Sequence, residues 1–200
     1  MTAGTAPRRD ADGSTDVEEG VEDVDAHGPS LEDLPEPGVL PGERVVLEPL
    51  QVAHASEVAH VFDDLRLHTF IGGTPATEAQ LVDRYRRQVA GWSPDRSERW
   101  QNWVVRRRVD DQVVGTVQAT VTVRGRHLAA EVAWVVATAY QRHGHAKDAA
   151  STMVQWLRSL GVSVVAAHVH PDHQASQGVA RALGLRKTGT WHDGEERWEG

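Results

Sequence analysis

The feature that most restricts the fold of this chain is the run 127–170, which reads HLAAEVAWVV, ATAYQRHG, HAKDAASTMVQWLRSL, GV and SVVAAHVH in succession. The outer blocks are apolar and rich in valine, as strands are. Between them Ala149, Ala150, Met153, Val154, Leu157 and Leu160 recur at helical spacing, so a helix spans about 144–160, and Gly161 suits its C′ position. Two strands joined by a helix run parallel, with a right-handed crossover. Any fold for this chain must be built around that unit.

The flanking segments supply antiparallel structure. RVVLEPL (44–50) reads as a strand and 54–65 as an amphipathic helix. A second helix follows Thr77 as N-cap, with Leu81, Tyr85 and Val89 on one stripe and a stop near Gly91. Strands at 100–109, 112–123 and 127–136 are joined by short turns, as in a meander. Beyond the crossover come a helix over 173–184 and a closing hairpin turning at Asp193-Gly194. The order β-α-α-β-β-β-α-β-α-β-β predicts an α/β fold: a mixed, mostly antiparallel sheet with flanking helices and a central β-α-β crossover.

Charge separates a tail from the domain. Residues 1–43 carry 12 of the 29 Asp/Glu but only 2 of the 21 Lys/Arg. Residues 1–41 are also poor in aromatics and rich in Gly and Pro. They are expected to form a disordered acidic tail, with 42–200 as one folded domain. The domain is then close to neutral and lacks the dense basic surface of a nucleic-acid binder. There is no cysteine, which excludes disulfides, a thiolate nucleophile and cysteine-ligated zinc. No apolar run approaches the about 20 residues of a membrane helix, and the opening MTAGTAPRRD lacks the apolar core of a leader. The expectation is a cytoplasmic protein with no membrane partner.

Chemistry concentrates at the start of the crossover helix. The first amides of a helix lack intrahelical acceptors and carry partial positive charge. Gly144 lets another backbone approach closely, and Arg142, His143, His145 and Lys147 surround it with donors. Such a turn suits a phosphate or pyrophosphate. It also reads as an ordinary strand-to-helix turn with basic surface residues. Downstream, His168, His170 and His173 lie close enough in sequence to meet one zinc ion, or simply to line a cleft.

At this point the sequence resembles the GNAT superfamily of acyl-CoA-dependent N-acetyltransferases, whose Gln/Arg-x-x-Gly-x-Gly/Ala signature stands here as Gln141-Arg142-His143-Gly144-His145-Ala146. AEVAWVVATAYQRHGHAKDAA and HPDHQASQGVARALGL are similar to blocks of the branch containing the ribosomal-protein N-terminal acetyltransferases. The resemblance covers about 44–198. It implies acetyl-CoA as cosubstrate and no metal, with the pyrophosphate on the turn amides of 142–146, aided by Arg142 and Lys147. The pantetheine arm would bond along Trp134, Val135 and Val136, and a splay between this strand and SVVAAHVH would admit the thioester. An amide near Val136 would stabilise the oxyanion. His173 replaces the family's usual Asn beside the cofactor.

The implied reaction is transfer of acetyl to a primary amine, on a small molecule or a protein N-terminus, by direct attack in a ternary complex. Glu131 stands where related enzymes carry a base, though it also reads as a solvated strand residue. The usual acidic Tyr is Ala180 here. Ser176 is therefore the candidate acid, unless its hydroxyl serves only local backbone. The family often forms homodimers. A catalytically silent CoA-binding or sensory module of the same fold is the alternative.

Overall fold

The computed structural model describes residues 28–200. Its first elements are β1 (Leu40–Pro41), β2 (Val45–Pro49), α1 (Ala55–Val61), α2 (His68–Ile71) and α3 (Glu78–Gln88). The meander is β3 (Arg99–Arg107), β4 (Val113–Arg124) and β5 (His127–Val136). The crossover helix α4 (His145–Ser159) leads to β6 (Val162–Val169), followed by α5 (Gln174–Ala182) and the hairpin β7 (Arg186–His192) and β8 (Glu195–Glu199). The eight strands form one sheet in the order β1-β2-β3-β4-β5-β6-β8-β7, and only β5 and β6 pair in parallel. This is the mixed sheet around a β-α-β unit that the sequence implies.

The sheet is covered on both faces. On one, Ala149, Met153 and Leu157 of α4 lie fully buried against Trp103, Val105, Val121 and Val165. Burying side chains of this size contributes about 1.5–3 kcal/mol each. On the other, α1 and α3 bring Val58, Leu81 and Tyr85 onto Val104 and Val113. The period of two along β3 divides the faces: Gln101, Trp103 and Val105 point towards α4, Asn102 and Val104 towards α3. α3 begins as expected, with a capping box between Thr77 and Gln80.

The helix expected over 54–65 is shorter. It ends after Val61, and Asp64 starts a new turn by accepting the Arg66 amide at 2.9 Å, which leads into the unpredicted α2. The boundary expected at residue 41 also differs. Residues 1–27 of the proposed tail lie outside the described residues. From Ser30 onward the chain is packed as a strap on the domain. Leu31 and Leu34 enter the core beside α4. The strap's carbonyls serve buried donors of β3: the Trp103 indole donates to Gly38 O at 2.8 Å and the Gln101 amide to Pro35 O at 3.1 Å. Arg99, almost wholly buried, donates to Glu36 at 2.6 Å. Composition averaged over the acidic segment masks these few anchoring positions.

Leu34→Ala is expected to lower the unfolding free energy by about 2–4 kcal/mol, as core truncations do. Urea unfolding followed by tryptophan fluorescence measures it, and an unchanged midpoint would detach the strap from the core.

Candidate functional site

The turn between β5 and α4 is held in an uncommon backbone shape. Arg142 and Gly144 both have positive φ, 64° and 82°, on either side of His143. Alternation of this kind curls successive amides towards one side, as in anion-binding nests. Gly144 is the N-cap of α4 and supplies no side-chain cap. Among the described residues, none accepts a hydrogen bond from the amides of Arg142 through Lys147. The side chains instead brace the turn from behind. The Gln141 amide donates to Val136 O at 2.9 Å. The rings of His143 and His145 approach the Gln141 and Tyr140 carbonyls at 2.7 and 3.0 Å, so each Nδ1 carries a proton. Asp148, in the first turn of α4, accepts the amides of Glu43, Arg44 and Val45 at 3.1, 2.7 and 3.0 Å. That clamp ties the helix start to the edge of the sheet.

Beside the turn the sheet divides. Pairing of β5 with β6 ends at Glu131 and Ala166, while β5 continues to Val136 and β6 to Val169. The Ala137 amide donates to Val114 O at 2.9 Å, which fixes the parity of β5. Odd-numbered residues bond to β4, so beyond the last rung the Val132 carbonyl, both backbone groups of Trp134 and the Val136 amide turn to the gap. Gly115 allows the close approach of β4 here. It sits at a register shift, and a Cβ on it would lie 2.3 Å from Val135 O.

A cleft of about 300 Å³ occupies the gap, bounded by the end of β5, the turn and α5. Of the residues predicted to hold a cofactor, all but His143 line it, and so does Ser176. The His143 side chain is exposed, although its backbone belongs to the turn. Glu131 is elsewhere. It lies at the apex of the fork but faces a separate recess, with Thr120, Thr122 and Arg197. Its carboxylate is 3.4 Å from His168 Nδ1 and 3.6 Å from Arg197. Along the strand Glu131 is about 13 Å from Val135, four residues at about 3.3 Å each. The three downstream histidines diverge: His168 faces Glu131 and His192, whereas His170 and His173 flank Phe70. Among the described residues no three His, Asp or Glu are grouped as metal ligands, and no helix is long and apolar enough to cross a membrane.

Several cleft residues escaped the sequence reading. Arg66 and Leu67 arrive from the turn before α2, and Thr138 and Tyr140 from the turn after β5. Arg44 reaches the turn from the sheet edge without lining the cleft, with its Cδ 3.6 Å from where a Cβ on Gly144 would stand. No motif marks them, because chain segments distant in sequence supply most of them. On the opposite face of the sheet a second recess, of about 370 Å³, lies beneath α1 and α3, and Val135 lines both spaces.

A parallel pair that forks beside the uncapped N-terminus of its crossover helix is the architecture of the GNAT acetyltransferases. The chain belongs to that family: residues 44–186 match its model, described as an acetyltransferase (GNAT) domain. Solved structures agree in fold. RimJ of Mycobacterium smegmatis in complex with CoA-disulfide superposes with a TM-score of 0.68 at 17% identity, covering 82% of this chain and 87% of that one. Ribosomal-protein-S5-alanine acetyltransferase of Vibrio fischeri gives 0.66 at 17% identity, over 81% and 95%. The microcin C7 self-immunity acetyltransferase MccE, in complex with acetyl-CoA and AMP, gives 0.65 at 11% identity, over 79% and 92%. No curated protein matches the chain in sequence.

His173 joins the cleft to the stability of the fold. It caps α5 by accepting the Ser176 amide at 3.5 Å, and its ring stacks on Phe70 at 4.2 Å. Burial, and secondarily the neighbouring His170, lower its pKa below the usual histidine value. The fold therefore prefers the neutral ring, so the unfolded chain takes up this proton first as pH falls. The stability contributed by His173 is present above about pH 6.5 and is lost as pH drops through the lower folded value. Urea midpoints measured from pH 7.5 to 5.5 are expected to fall more steeply for the wild type than for His173→Asn, which keeps an N-cap acceptor without titrating. Parallel slopes would exclude this role.

Proposed function

We propose that the chain is an N-acetyltransferase that moves an acetyl group from acetyl-CoA to a primary amine by direct attack in a ternary complex. The observation that carries this reading is the juxtaposition in one cleft of unpaired turn amides, the open edge of β5 and the Ser176 side chain.

The residues fit the ligand's chemistry. The amides of 142–147, with the side chains of Arg142 and Lys147, would hold the pyrophosphate by charge-assisted hydrogen bonds. Trp134 presents its amide and carbonyl to the gap and Val136 its amide, as an added strand requires, and the Val136 amide would stabilise the carbonyl oxygen as it gains charge. With no cysteine in the chain, no thiol acyl-enzyme forms. The acceptor enters from the recess on the opposite face, which meets the cleft at Val135. Its nitrogen forms the new N–C bond as the C–S bond breaks. The amine loses one proton and the departing sulfur gains one. Ser176 donates to the sulfur, and Glu131 receives the amine proton through water, since it faces a different recess.

One observation favours the alternative of a CoA-binding module without turnover. Glu131 is engaged by His168 and Arg197 outside the cleft, and Ala180, at the position of the family's acidic Tyr, is fully buried without a reactive group.

Thiol release from acetyl-CoA with a panel of amines separates the two readings. Ser176→Ala and Glu131→Gln are each expected to lower kcat by about 100-fold or more while acetyl-CoA still raises the melting temperature. Cofactor binding with no release by the wild type would establish the silent module. Full rates in either variant would remove that residue from the mechanism.

A further inference from the structure

The recess opposite α4 holds polar groups that the fold itself does not use. Asn102 and Tyr85 line it and are only 8% and 4% exposed. Neither the Asn102 carboxamide nor the Tyr85 hydroxyl bonds to any described residue. Both groups open onto the recess rather than lying sealed in the core, so solvent or a bound molecule can partner them there. Burial pushes the Tyr85 phenol up to about 12, so at neutral pH it keeps its proton and can donate.

The charge at the mouth of the recess is of one sign. Arg84 and Arg87 stand one turn apart on α3, both exposed, and Arg84 lines the recess itself. Both also line two shallower depressions beside it. Their neighbour Arg86 is paired with Asp83 at 3.1 Å, which accounts for the one nearby carboxylate on the helix. No described Asp or Glu forms an ion pair with Arg84 or Arg87, and the lining of the recess includes no acidic residue. The remaining wall mixes apolar Val58, Phe62 and Leu81 with the uncharged polar Gln88, Thr116 and Gln118, and His68. A cationic peptide terminus would meet two uncompensated guanidinium groups here, whereas an anion would neutralise them.

We infer that the acceptor is a small primary amine that also carries a carboxylate or phosphate, held by Arg84 and Arg87, with Asn102 and Tyr85 bonding its polar atoms. The inference rests on the transferase reading above, because Val135 connects this recess to the cleft. The arginines set the anion at the outer end and leave the amine to face the fork between β5 and β6.

Two matched pairs of probes test it, with thiol release from acetyl-CoA as the readout: L-phenylalanine against L-phenylalaninamide, and phosphoethanolamine against ethanolamine. The first pair reports a carboxylate and the second a phosphate. In at least one pair the anionic member is expected to have a kcat/KM about tenfold or more above its neutralised counterpart, the size of one charge-assisted contact. Arg84→Gln should abolish that preference while changing the counterpart less than about twofold, and Arg158→Gln, exposed on α4 across the sheet, should leave it intact. Equal rates within both pairs would overturn the inference. So would a preference that survives in Arg84→Gln, a basic peptide used better than any probe, or no release with any probe while acetyl-CoA still binds. Failure of acetyl-CoA to raise the melting temperature would instead remove the transferase reading.

Discussion

Parallel pairing between β5 and β6 stops at Glu131 and Ala166, and most of what distinguishes this molecule follows from that stop. A strand edge left open inside a sheet exposes backbone groups that must find partners. Gln141 takes one of them, the Val136 carbonyl, and the others face a cleft. The fork persists because both arms are secured elsewhere: β5 against β4 at the glycine-dependent approach of Gly115, and β6 against β8. Asp148 then fixes the start of α4 beside the opening. The cleft is therefore a product of how the sheet is paired rather than of a mobile loop.

The two faces of the sheet divide the work. Unpaired amides gather on one side of the end of β5, and unpaired side chains on the other. Val135 belongs to both linings. This arrangement would bring two ligands together from opposite directions without either crossing the core. It also places the two proposed proton-transfer residues in different surroundings. Ser176 shares the cleft with the turn, while Glu131 sits at the apex of the fork, bound to His168 and Arg197.

Much of the fold was legible because its signals are local. The apolar stripe of α4, the Thr77 cap and the Asp193-Gly194 turn are each specified within a few residues, and the crossover follows from two valine-rich strands around a helix. The turn was legible for the same reason: a glycine among basic residues at a helix start. What was not legible depends on partners far along the chain. Leu31 and Leu34 look like stray apolar residues in an acidic segment until Trp103 and Gln101, more than 60 positions away, supply donors for the carbonyls around them. The break after Val61 depends on Asp64 capping a turn within a segment that otherwise keeps helical spacing. For Glu131 the strand was legible but not the recess, since alternation assigns a face and leaves open which groups share it.

The proposed pyrophosphate site depends on the shape of the turn at Gly144, where φ is 82° and a Cβ would meet only ordinary contacts with Arg44. Space is available, so conformation alone distinguishes the substitutions. Asn tolerates the left-handed region, whereas β-branched Val does not. The most direct measurement is a thermal-shift titration with acetyl-CoA on the wild type, Gly144→Asn and Gly144→Val. Acetyl-CoA should stabilise the first two, by about 2.7 kcal/mol at one hundred times its Kd, and leave the third unshifted. Equal stabilisation of the Val variant would contradict the assignment of these amides to the pyrophosphate.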